Sequence, residues 1–111
     1  MSTWDPVSVR KSFASIAANA ERYVDEIKDR IRRDPKRDSP TVQELIVEHS
    51  AKWFVYDWFS VSAATETRES LIAEAKQRID HPPASGNYSK EVFNRYWNLY
   101  LKKLAAEIEV S

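Results

Sequence analysis

The chain has 111 residues, enough for one domain with one modest core, and contains no cysteine, which excludes a disulfide framework, a thiolate zinc site and a cysteine nucleophile. Its 17 basic residues balance 17 acidic ones, so no global field draws nucleic acid or anionic lipid. A single glycine, Gly86, and prolines placed like boundary markers leave too few turn residues for a β-protein of this length. The expected fold is therefore all-α: a small bundle of about four helices in a single domain spanning residues 1–111. No apolar run approaches the roughly 18 residues of a membrane span, and no hydrophobic leader follows Met1, so no membrane association and a cytoplasmic location are expected.

Pro6 suits a helix's first turn. From there Val9, Phe13, Ile16, Ala20, Tyr23, Ile27 and Ile31 recur at steps of three or four, which predicts a long amphipathic helix over 6–33. Asp34-Pro35 stops it, because the residue before proline avoids the α region. The loop 34–39 ends in Ser39-Pro40, an N-cap followed by proline at the first helical position. Thr41 with Glu44 offers a competing capping box.

A second helix is predicted over 40–63, with Val42, Leu45, Ile46 and His49 on one face. Neither glycine nor proline occurs between Thr41 and Asp80, but the apolar seam turns polar near Ser62–Thr67, where a break or kink is expected. A third helix follows over 66–80, then a loop over 81–89 with Pro82-Pro83 and Gly86. The last helix, 90–109, carries Phe93, Trp97, Tyr100, Leu104 and Ile108 on its stripe, widened by Tyr96.

The stretch KWFVYDWFSVSA, residues 52–63, poses the main physical problem. At about 100° per residue, with Trp53 at zero, Phe54 falls near 100°, Val55 near 200°, Tyr56 near 300°, Trp58 near 140° and Phe59 near 240°. Such a helix has no polar face and must be covered all round. A strand reading fails because no other segment can pair with it. Either the other helices enclose the stretch, or one side packs on a second copy. Trp53, Trp58, Phe59, Tyr96 and Tyr100 are the interface candidates. Asp57 lies inside this cluster and is expected as a buried charge held by an arginine, a lysine, a hydroxyl or an indole N–H.

Signals for chemistry are sparse. His49 has neither the His-Glu-x-x-His nor the Glu-x-x-His spacing of helical metal sites, and His81 sits beside a proline. No metal, cofactor or catalytic residue is expected. Glu44 and Glu48 read as a solvated face pairing with Lys52. Five basic residues, Arg30, Arg32, Arg33, Lys36 and Arg37, are the nucleic-acid candidates, although Asp29, Asp34 and Asp38 are interspersed.

The run SPTVQELIVEHS, residues 39–50, resembles the first helix of tetracycline-repressor-type DNA-binding domains, with YDWF echoing an aromatic pair there. It departs from that pattern after His49, where the turn glycine is missing. The helix that would enter the groove carries Trp53, Phe54 and Asp57, with only Lys52 to meet phosphate. Residues 9–33 sum to +3 (seven basic, four acidic) and residues 39–80 to −3 (four basic, seven acidic), so the segments should pack together. The function expected is that of a non-enzymatic helical interaction module. It would be a homodimer, or bind another protein, through the aromatic surface. The alternatives are a small nucleic-acid-binding regulator using residues 30–37 and a bundle that binds an apolar small ligand.

Overall fold

The computed structural model describes residues 5–63, 65–84, 86 and 88–110. Four α-helices account for most of them: α1 (Pro6–Arg33), α2 (Pro40–Ser62), α3 (Arg68–Gln77) and α4 (Lys90–Val110), with one 3-10 turn at Pro35–Arg37. No strand occurs among the described residues.

The helix ends follow local chemistry. Asp5 caps α1, its carboxylate accepting from the Val7 amide at 3.1 Å, and Asp34 leaves the helix in an extended conformation ahead of Pro35. At α2 the Ser39–Pro40 start prevails over the Thr41–Glu44 box: Ser39 Oγ accepts from the Val42 amide at 3.1 Å. Ser39→Ala should therefore destabilise the fold by about 1 kcal/mol, read as a lower urea midpoint at unchanged slope. Because α2 is continuous from Pro40 to Ser62, there is no turn after His49 and no helix-turn-helix at that place.

α2 ends at Ser62 and α3 begins at Arg68, two residues later than expected, where Thr67 Oγ1 caps it by accepting from the Ser70 amide at 3.1 Å. α3 stops at Gln77, three residues short of the expected end. Asp80 takes a left-handed φ of 66°, a conformation that Asp tolerates better than most residues. It exchanges two hydrogen bonds with Asn98: its amide donates to Asn98 Oδ1 at 2.8 Å, and Asn98 Nδ2 donates to its carboxylate at 2.7 Å. Trp97 Nε1 donates to the Arg78 carbonyl at 2.8 Å, tying the end of α3 to α4.

Helix directions follow from the contacts. Phe13 meets Tyr56 and Tyr23 meets His49, so α1 and α2 form an antiparallel hairpin. Glu44 meets Arg95, Glu48 meets Tyr100 and Glu107 meets Tyr56, so α4 runs parallel to α2. Arg68 Nε donates to the Ile108 carbonyl at 3.0 Å, and its guanidinium also reaches the Glu109 carbonyl, while Trp97 meets Arg78. α3 is thus antiparallel to α4 and satisfies its last carbonyls. The elements pack in the lateral order α1, α2, α4, α3.

The aromatic stretch is enclosed mainly by its own chain. Phe59 and Val55 are fully buried, and Tyr56 is 2% exposed. They pack with Phe13, Leu71, Phe93, Trp97, Leu101 and Leu104. Two of the proposed interface residues are therefore core: Phe59 is sealed on all sides and Tyr100 is 6% exposed beneath α2. Trp53, Trp58 and Tyr96 are half-buried, and the Arg78 guanidinium covers the Trp58 ring at 3.9 Å from its centre.

The expectation for Asp57 is corrected as well: it is exposed. Asp57 and Val61, one turn apart, form a narrow wet line along a stretch of α2 that is otherwise at least half-buried, so the carboxylate stays in water and needs no buried partner. The opposite charges of α1 and α2 are not paired either. Among the described residues, no ion pair joins them, and their seam is apolar. The inter-helix ion pairs are Glu44–Arg95 at 2.6 Å and Lys76–Glu109 at 3.5 Å, both involving α4.

Candidate functional site

The chain's second apolar cluster lies at the turn end of the α1–α2 hairpin. Val24, Ile27 and Ile46 are buried there, with Ile31, Val42 and Leu45 half-buried against them. Their outer side borders a groove of about 320 Å³ lined by Tyr23, Ile27, Arg30, Ile31, Arg37, Val42 and Leu45. Helical spacing builds it: Tyr23, Ile27 and Ile31 rise at steps of four on α1, and Val42 and Leu45 face them at a step of three on α2. The 3-10 turn brings Arg37 to the rim. Tyr23 is 40% exposed, among the few large apolar residues that open so far to solvent.

His49 lies beside Tyr23, the two rings 4.3 Å apart. Burial holds its imidazole below the usual histidine range. The carboxylate of Glu48, 3.7 Å away, works against that shift and Lys52 adds to it. The neutral ring therefore packs as an aromatic wall at neutral pH. Among the described residues, no group of three His, Cys, Asp or Glu side chains stands ready to hold a metal ion. His81 is exposed in the α3–α4 connection.

The basic residues proposed for nucleic acid do not form one free stripe. Asp29 holds both Arg32 and Arg33, the latter at 3.2 Å, and Asp34 holds Arg37 at 3.6 Å. Asp34 also accepts from the Lys36 amide at 3.2 Å. The guanidinium of Arg30, on the groove's rim, has no hydrogen-bond or ion-pair partner among the described residues.

Family models, curated proteins and solved structures give no match. Function is therefore read from the chemistry of the surfaces themselves.

Glu44 and Glu48 do not form the solvated face with Lys52 that their spacing suggests. Glu44 accepts from the Tyr96 hydroxyl at 2.8 Å and from Arg95 at 2.6 Å, and Glu48 accepts from the Tyr100 hydroxyl at 3.2 Å. Glu107 accepts from the Tyr56 hydroxyl at 3.1 Å. Burial, then Glu48, pushes the Tyr100 phenol up to about 12. Burial, then Glu107, moves Tyr56 further in the same direction, and the bond to Glu44 raises Tyr96. All three phenols stay protonated as donors at neutral pH, so the row acts as a polar seam between α2 and α4. The matched spacing of two acids on one helix and two tyrosines on another, each pair four residues apart, was the signal for it.

A recess of about 380 Å³ lies between α1, α2 and the connection before α4, and half-buried Trp53 and Phe54 line it. Lys28 and the buried Ser50 both reach the Tyr88 hydroxyl, each at 3.2 Å. Glu21 and Asp25 complete its polar side.

Proposed function

We propose that the chain is a non-catalytic helical module that binds protein through the groove at the turn end of the α1–α2 hairpin. One observation carries the reading: Tyr23, Ile31, Val42 and Leu45 form a continuous, partly uncovered apolar floor between two helices, framed by Arg30 and Arg37. Tyrosine and arginine around an aliphatic floor is the composition of an interface core, and an uncovered apolar groove with a polar rim is where partners dock. The reading keeps the interaction role expected from sequence and moves its surface away from the 52–63 stretch, where Tyr56 and Phe59 lie in the core and Arg78 covers Trp58. A cysteine-free chain suits a reducing compartment, so the cytoplasm is the setting we propose.

The nucleic-acid alternative leaves the apolar floor of the groove without an occupant. An apolar ligand in the recess beside Trp53 would face Glu21, Asp25, Lys28 and Ser50, which such a ligand cannot satisfy.

Site-specific crosslinking tests the surface. A photo-crosslinking phenylalanine analogue replacing Tyr23 should join to another polypeptide in cells, and the product should vanish in an Ile31→Lys background. The same analogue at Leu99, which is also 40% exposed but lies on α4, should give none. Equal products from both positions, or none from Tyr23, would refute the reading.

A further inference from the structure

We infer that the groove receives an acidic amphipathic helix from a different protein, an inference that rests on the groove being a protein-binding surface. The floor selects shape. Two helices separated by a shallow apolar channel accept a third helix that presents residues at i, i+3, i+4 and i+7, and the cavity of about 320 Å³ takes a few aliphatic side chains.

The rim selects charge. Arg30 is unpaired among the described residues, and Arg37 is bound only to exposed Asp34 at 3.6 Å, a contact that a better-placed carboxylate can replace. Residues 29–38 sum to +2 (five basic, three acidic) in a chain that is neutral overall. Two guanidinium groups flanking an apolar floor match carboxylates flanking an apolar stripe, with bidentate geometry available at each.

The same charges disfavour the other occupants. In a two-fold dimer built on this groove, the +2 patch would face its own copy, and like charges opposite one another oppose association. Nucleic acid would leave the aliphatic floor uncovered. A head-to-tail contact is the remaining route to self-association, because Glu107, Glu109 and Val110 at the end of α4 are acidic or apolar and exposed. Such a heterologous contact would build rings or open chains of molecules.

Two helical peptides of about 15 residues, with identical Leu/Ile stripes and either Glu or Lys flanks, test the inference by fluorescence anisotropy on the full chain. The Glu-flanked peptide should bind about tenfold more tightly than the Lys-flanked one, and added salt should narrow the gap. Arg30→Glu combined with Arg37→Glu should reverse the order, and Ile31→Lys should abolish both, with helical circular dichroism unchanged in each variant.

Equal binding of the two peptides would overturn the acidic partner while leaving the groove as a docking site. Failure of both peptides, despite crosslinks from Tyr23, would overturn the helical occupant alone. If the crosslinks fail too, the functional reading falls with it. Dimers or chains in sedimentation that disappear in Ile31→Lys would assign the groove to a second copy and overturn the inference.

Discussion

Phe59→Ala should destabilise the protein by about 3–5 kcal/mol, a fifth or more of the stability of an ordinary domain of this size. Phe59 is fully buried, and its ring stands edge-on to Trp58 with centroids 4.8 Å apart. Removing it strips contacts from the α2 side of the main core and leaves a cavity that the neighbouring helices can close only in part. Trp53→Ala, at a half-buried position, should cost clearly less. Urea unfolding of both variants measures the difference. The midpoint for Phe59→Ala should not depend on protein concentration, because the lost contacts lie within one chain. A shift of less than about 1 kcal/mol, or a midpoint that rises with concentration, would return Phe59 to the interface role its sequence setting first suggests.

Periodicity and caps made the helices legible. The three- and four-residue steps from Val9 to Ile31 find the length of α1 and three of its buried residues, Phe13, Ala20 and Ile27, but Ala17 and Val24 are sealed where the stripe points to Ile16 and Tyr23; Ser39-Pro40 starts α2 where its chemistry says it should. What the pattern cannot give is an angle between helices. Phe59 and Trp58 are neighbours of similar apolar character, yet one is sealed and the other lies under a guanidinium, because α3 and α4 approach α2 from particular sides. Asp57 looked trapped for the same reason: its neighbours are apolar, but the line it shares with Val61 faces no helix.

The groove was half legible. Tyr23, Ile27, Ile31, Val42 and Leu45 all stand out as apolar stripe residues, which normally means core. Whether a stripe is covered depends on which side of the α1–α2 seam receives α4. That choice is written in the Glu44–Tyr96 and Glu48–Tyr100 pairs, more than fifty residues apart in the chain. The same pairs explain why surplus tyrosines on α4 did not mean a dimer surface: their hydroxyls serve carboxylates of the same molecule.

Those phenols also predict an alkaline transition. In the unfolded chain a tyrosine releases its proton near pH 10. In the fold Tyr100 holds it until about 12, and Tyr56 beyond that. Between these limits the folded state binds more protons than the unfolded state, so stability falls as pH rises. The contribution of the seam is fully present below pH 10 and is lost progressively above it, with Tyr100 exhausted near 12. Around Tyr100 stand Glu48, Lys52 and Lys103, and around Tyr56 stands Glu107.

Tyr56→Phe and Tyr100→Phe should each lower stability at pH 7 by about 1.5–3 kcal/mol, since each removes a hydrogen bond to a carboxylate. Both should flatten the alkaline limb, the double variant most, when circular dichroism is followed from pH 7 to about 12 alongside tyrosinate absorbance. Ionisation of the remaining buried tyrosine should coincide with loss of helix. If the double variant unfolds over the same pH range as the parent, the seam between α2 and α4 does not govern stability in base.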